Sequence, residues 1–123
     1  MKELTRAEEE IMQVLWTKRS AFVKDIIDDL PEPKPAYSTV STIVRILQQK
    51  GFVGHKPQGQ SHKYHPLITK ANYTKLFMKG FVKKYFDGSY RDMVSFFTKE
   101  DNLSVNELEN LVKELKKIKS KKT

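Results

Sequence analysis

The sequence predicts a mainly α protein with one small β-hairpin, and three observations carry that prediction. Apolar residues recur at three- and four-residue spacing over several stretches, the pattern of helices that bury one stripe. The period changes once, between residues 51 and 69, where two short runs flank a glycine-containing turn. The pairs Thr5/Glu8 and Ser104/Glu107 stand three apart at the heads of apolar runs, as the partners of a capping box do.

Each element follows in order. Leu4, Ala7, Ile11, Val14 and Leu15 mark a first helix, opened by Thr5 and closed by Trp16 as a core anchor. Phe22, Val23, Ile26, Ile27 and Leu30 mark a second, with Ser20 as its expected cap and the stiff stretch PEPKP, Pro31 to Pro35, as its stop. The third, within YSTVSTIVRILQQKGF at 37–52, turns Val40, Ile43, Val44 and Leu47 to the core, with Ser38 as expected N-cap and Gly51 as its end. FVGHK and HKYHPL flank PQGQS as two strands, kept short by Pro57 and Pro66. Beyond Thr69, the residues Tyr73, Leu76, Phe77, Gly80, Phe81 and Lys84 track a long helix that breaks at DGS, 87–89. A short segment with Met93, Val94 and Phe97 follows. The last helix, opened by Ser104 and Glu107, sets Leu108, Leu111, Val112, Leu115 and Ile118 on one stripe before the basic tail KKIKSKKT.

At 123 residues and 38% hydrophobic content, the chain can bury a modest core. It has no cysteine, which excludes disulfide frameworks, thiolate metal sites and thiol catalysis, and suits a reducing compartment. No apolar run approaches the roughly 20 residues that span a bilayer, and MKELTRAEEE carries no signal-peptide core. A cytoplasmic protein without membrane insertion is expected. The net charge of +8 is unevenly spread. Residues 1–32 hold five Lys/Arg against eight Asp/Glu, and residues 87–123 hold eight against seven. Residues 33–86 hold ten Lys/Arg and no acidic residue. A solvated surface ordinarily mixes signs, so a block of this length without a carboxylate points to a polyanionic partner.

Three short helices followed by a hairpin is the order of a winged helix-turn-helix, in which the third helix enters the DNA major groove and the hairpin lies over flanking phosphates. That arrangement explains why the outer face of the third helix is polar yet free of carboxylates. Tyr37, Ser38, Thr39, Ser41, Thr42, Arg45, Gln48 and Gln49 are the candidate readers of double-stranded DNA, because such side chains donate to phosphates and meet base edges. Ser and Thr here equally suit capping and first-turn roles. Arg45 fits a bidentate guanine contact, a phosphate contact or a surface ion pair alike. Lys50, Lys56, His62 and Lys63 are the candidate phosphate contacts.

His55, His62 and His65 fall in the hairpin without a neighbouring carboxylate or thiol, so donation to phosphate or stacking outranks a metal site. There is no Gly-rich phosphate loop, metalloprotease histidine pair or cysteine nucleophile, so neither an enzyme nor a cofactor is expected. The division expected is a winged-helix domain at 1–69 and a helical domain at 70–123. The second is too small and elongated to bury Phe77, Phe81, Phe86, Phe96 and Phe97 alone. A homodimer removes that deficit, with Phe77, Phe81, Met93, Phe97, Leu108, Leu111, Val112 and Leu115 as dimerisation residues.

Four stretches, LTRAEEEIMQVLW at 4–16, TVSTIVRILQQKGFVGHK at 39–56, YHPLIT at 64–69 and FFTKEDNLSVNELENL at 96–111, are specific in order and spacing rather than singly. Through them the chain resembles, along nearly its whole length, the BlaI/MecI penicillinase-repressor family of bacterial transcription regulators. The resemblance implies a homodimer, a winged-helix DNA-binding domain, a helical C-terminal dimerisation domain and repression at an operator with dyad symmetry. It also implies release by proteolysis, triggered by a membrane-embedded zinc metalloprotease sensor of the BlaR/MecR type. The family's usual scissile pair is Asn-Phe ahead of an acidic segment. This chain has Ser95-Phe96-Phe97 there, which places the expected cleavage at Ser95-Phe96 or Phe96-Phe97 without the Asn. The family's Trp-Ser at the head of the third helix is replaced by Pro35-Ala36-Tyr37-Ser38, and its Arg near the helix end aligns with Ile46 rather than Arg45. An operator sequence therefore does not carry over. The C-terminal cysteine cluster of the copper-responsive branch is absent.

The expected function is a sequence-specific DNA-binding repressor acting as a homodimer. Two readings from other classes stand beside it. A winged-helix adaptor for another protein need not bind heparin or duplex DNA, and a regulator with a small-molecule pocket among the C-terminal aromatics would be stabilised against heat by its metabolite.

Overall fold

The structure is a computed structural model that describes residues 4–100 together with 104, 106, 107, 109, 110, 113 and 114. Its elements are α1 (Arg6–Lys18), α2 (Val23–Asp28), α3 (Tyr37–Gln49), β1 (Val53–Gln58), β2 (Ser61–Pro66), α4 (Lys70–Phe86) and α5 (Tyr90–Glu100). The fold is mainly α with one two-stranded antiparallel sheet. The chain divides between Lys70 and Ala71 into two compact units.

The capping box predicted for α1 is present. Glu8 N–H donates to Thr5 Oγ1 at 3.2 Å and Thr5 N–H donates to Glu8 Oε1 at 2.8 Å. The buried stripe differs from the expected one at three positions, Ala7, Glu8 and Met12. Ala7 is exposed, and the core side is Leu4, Glu8, Ile11, Met12, Val14 and Leu15. Positions 4, 8, 11, 12 and 15 are an ideal helical stripe, and the charge of Glu8 disguised it. Trp16 stands inside the helix rather than at its end, and its Nε1–H donates to the Ile68 carbonyl at 2.8 Å.

Ser20 does not cap α2. Arg19 turns the chain with φ 72°, and the next residues run extended so that Ala21 and Tyr64 exchange hydrogen bonds of 2.9 Å and 2.8 Å. This delays the helix to Val23, where Asp25 Oδ2 accepts from the Phe22 N–H at 3.2 Å. Val23, Ile26 and Leu30 are buried, while Phe22 and Ile27 are half-buried. Lys34 closes the far end, its ammonium donating to the Asp28 and Leu30 carbonyls at 2.7 Å and 2.6 Å.

Ser38 is likewise inside α3 rather than at its cap. The extended Pro-rich stretch reaches Ala36, whose carbonyl accepts the first helical bond from Val40 N–H at 3.1 Å without any side-chain cap. Val40, Val44 and Leu47 are fully buried, and Ile43 flanks them half-buried. The C-terminal end is a Schellman motif: Gly51 N–H donates to Gln48 O at 3.1 Å and Phe52 N–H to Leu47 O at 2.9 Å. Gly51 takes φ 85°, a conformation that favours glycine, and Phe52 packs fully buried after it.

The hairpin pairs Val53 with Pro66 through to Gln58 with Ser61, around the two-residue loop Gly59–Gln60 in which Gly59 has φ 63°. Beside Ala21, Tyr64 is the buried residue in the middle of β2. At Gly54 a Cβ would lie 2.9 Å from His65 Nε2, so the two strands approach over a residue without a side chain.

In the second unit, Tyr73, Val82 and Met93 are buried. A train of rings links Tyr73 to Phe77, Phe81, Phe86, Phe96 and Phe97 at centroid distances of 5.5–6.4 Å. The predicted break at 87–89 is a turn in which Asp87 and Gly88 take φ 50° and 83°. Ser89 then caps α5 by accepting from Asp92 N–H at 3.1 Å. Ser104 accepts from Glu107 N–H at 3.1 Å, as its capping spacing predicts. Leu108, Leu111, Val112, Leu115, Ile118 and the basic tail lie outside the described residues.

Candidate nucleic-acid interface

Burial of Val40, Val44 and Leu47 dictates what α3 shows to solvent. Tyr37, Ser38, Thr39, Thr42, Arg45 and Gln49 are exposed, and Ser41 and Gln48 are half-buried beside them. Thr42 Oγ1–H donates to the Ser38 carbonyl at 2.9 Å, which commits its proton within the helix. Gln48 Nε2 lies 2.9 Å from His55 Nδ1, so the last turn of α3 is joined to β1.

The hairpin sorts its side chains by strand alternation. On one face His55, His62 and Tyr64 gather, the two imidazoles stacked with centroids 4.4 Å apart and planes 10° apart. The other face carries Lys56 directly opposite Lys63. Lys56 is exposed; Lys63 is half-buried with its ammonium 5.6 Å from the Phe22 ring centroid. Between α2, the first half of α3 and the hairpin opens a cleft of about 550 Å³, with Lys24, Tyr37, Ser41 and His62 among its walls.

Lys50, expected as a phosphate contact, is engaged with a carboxylate in this structure. Its ammonium donates to both Glu8 oxygens, at 2.9 Å and 2.8 Å, so it is bonded to α1 instead of standing free for phosphate. Burial of Glu8 raises the carboxyl pKa, but the Lys50 hydrogen bond, the Thr5 N–H and the Lys50 charge outweigh it, and the net shift is below the ordinary value of 4.5. The sequence assigns Glu8 only to the capping box, and the stripe 4, 8, 11, 12, 15 is the signal that it also faces inward. Arg45 and Lys56 form no ion pair among the described residues.

In the second unit Phe77 is 40% exposed, Phe81 and Phe97 are half-buried and Met93 is buried. Ser95, Phe96 and Phe97 lie inside α5, with Phe96 50% exposed. Among the described residues there is no group of three His, Cys, Asp or Glu able to hold a metal ion. No described helix is long and apolar enough to cross a membrane.

A helical unit with a hairpin beside a polar, carboxylate-free third helix defines a winged helix-turn-helix. The chain matches the penicillinase repressor family over residues 4–117 and belongs to that family of non-enzymatic, DNA-binding transcriptional repressors. It is 29% identical over 110 residues to the methicillin resistance regulatory protein MecI of Staphylococcus aureus strain N315, covering 89% of each chain. It is 27% identical over 121 residues to the penicillinase repressor of Bacillus licheniformis, covering 98% of this chain and 94% of that one. The solution structure of the DNA-binding domain of the repressor BlaI superposes with a TM-score of 0.51 at 28% identity, over 59% of this chain and 94% of that domain.

Proposed function

We propose that the chain is a sequence-specific, cytoplasmic repressor that binds a dyad operator in double-stranded DNA as a homodimer. The observation that carries this reading is the face formed by α3 and the hairpin. Like charges directly opposite one another weaken a strand pair, and Lys56 faces Lys63 on a hairpin with no carboxylate nearby in sequence. A phosphate backbone laid over them relieves that repulsion. In this reading Tyr37, Ser38, Thr39, Ser41, Thr42, Arg45, Gln48 and Gln49 line the major-groove side, and Lys56, His62 and Lys63 take phosphates. Thr42 acts there as an acceptor, since its proton is already donated. The names of the relatives, a penicillinase repressor and MecI, support the repressor role.

The homodimer is supported by rings such as Phe77 and Phe96 that stay exposed in a single chain, and by the two-fold operators that helix-turn-helix dimers read. Derepression by a BlaR/MecR-type membrane metalloprotease sensor, cutting near Ser95–Phe97, is supported by the resemblance to the family. Because those residues are helical, cleavage there requires α5 to open locally.

The test is a gel shift of the full chain on promoter DNA upstream of its own gene against an unrelated duplex, at two salt concentrations. Tight, salt-sensitive binding with a large margin for the promoter is expected. Equal binding to both duplexes, or none, overturns the sequence-specific reading.

A further inference from the structure

Lys50 belongs to the acid-free block, yet its ammonium finds a carboxylate. Its partner, Glu8, is 4% exposed and is the buried charged residue of the described core. Glu8 is held from a second side by the Thr5 N–H at 2.8 Å, so the carboxylate is fixed before Lys50 reaches it. Lys50 in turn is the C-cap of α3, directly below the turns that carry Arg45 and Gln49. Two charge-assisted hydrogen bonds from one ammonium to a fixed pair of oxygens are what a DNA phosphate would otherwise offer.

Resting on the DNA-binding reading, we propose that Glu8 is an internal substitute for a DNA phosphate: it keeps Lys50 off the DNA backbone and tethers the last turn of α3 to α1, which makes it a specificity-determining positioning residue. The physical consequence is twofold. A phosphate contact strengthens binding to every sequence alike, so withdrawing one cation from the reading helix lowers unspecific affinity while leaving base contacts intact. The tether also holds the helix at one angle, so Arg45 and its neighbours meet the same base step each time. Lys56, on the hairpin, has no such carboxylate among the described residues and stays available for phosphate.

The experiment measures binding of the full chain to the promoter duplex and to an unrelated duplex across salt, for wild type, Lys50→Met and Glu8→Gln, with thermal melts to verify folding. Every phosphate that a side chain neutralises adds about 0.9 to the steepness of log K against log salt. Lys50→Met is expected to leave the slope unchanged while lowering the promoter-to-unrelated ratio, because the tether is lost. Glu8→Gln, which keeps a hydrogen-bonding side chain for Thr5 but frees the ammonium, is expected to steepen the slope by about 0.9 and lower the ratio. A slope flattened by about 0.9 in Lys50→Met overturns the proposal, since Lys50 then reaches phosphate despite Glu8. An unchanged slope and ratio in Glu8→Gln overturns it too. If Glu8→Gln does not fold, the slope of Lys50→Met decides alone. Wild type without salt-sensitive DNA binding would sink the repressor reading itself, independently of either variant.

Discussion

Glu8 joins the chemistry of a helix cap to that of a buried ion pair. Its carboxyl sits below the ordinary value of 4.5 in the folded state, so the stability it contributes is present above that value and is lost as pH falls through the lower folded value. The difference in melting temperature between wild type and Glu8→Gln should therefore be constant well above pH 4.5 and shrink below it; a difference that grows on acidification would contradict the assigned sign. Trp16→Phe keeps an aromatic ring but leaves the Ile68 carbonyl without the indole donor. Denaturant unfolding should register a loss of about 1 kcal/mol. For Arg45→Ala, a loss of about 1–3 kcal/mol on the promoter with relaxed preference at one base step is the outcome of a guanine contact. Gel shifts on single-base operator variants would reveal it, and an equal loss on every duplex would assign Arg45 to phosphate instead. Residue identity predicted the inner face of α3, because Val40, Val44 and Leu47 are buried, but not that Ser41 and Gln48 are half-buried or that Ile46 is 37% exposed. Partners were less legible: Lys50 and Lys56 are both lysines in one basic block, and the carboxylate that separates them is 42 residues upstream of Lys50.

Among the elements, the helices and the hairpin were readable from apolar periodicity, and the caps were readable where they are made by side chains. Thr5 with Glu8 and Ser104 with Glu107 behave as their spacing requires. Ser20 and Ser38 did not, because extended backbone determines where α2 and α3 begin: Ala21 pairs with Tyr64, and the Pro-rich stretch runs out at Ala36. A one-residue bridge has no periodicity and so leaves no pattern in a sequence. The Schellman turn after α3 yields a direct prediction. Gly51 has φ 85°, and a Cβ there would meet nothing within 4 Å, so Gly51→Ala carries a conformational cost without a clash. Thermal unfolding should show a loss of about 1–2 kcal/mol, with Gly51→Asn falling between alanine and wild type.

For the molecule as a whole, the acid-free block at 33–86 runs across the division at Lys70, while aromatic rings concentrate in the second, helical unit, and the proposed pairing of two chains is the step that would join that unit to the proposed DNA-reading one in function. Phe77→Lys, at a ring 40% exposed, should shift the chain toward monomer in analytical ultracentrifugation while leaving the melting of the N-terminal unit unchanged. Binding to a full operator should then fall far more than binding to a half-site; equal losses would argue against a dimer through this face. The reciprocal pair between Ala21 and Tyr64 bears on how the wing meets an uneven surface. It splices the α1–α2 connection to the middle of β2, so exchange of those two amides with deuterium waits for opening of the N-terminal core, whereas the amide of Gln60 exchanges by fraying of the loop. Compliance is thus expected to be graded along the hairpin, stiff where Ala21 pairs with Tyr64 and soft at the tip, so that in the proposed complex its last residues would adapt to the backbone of the duplex while the paired part of β2 keeps its place.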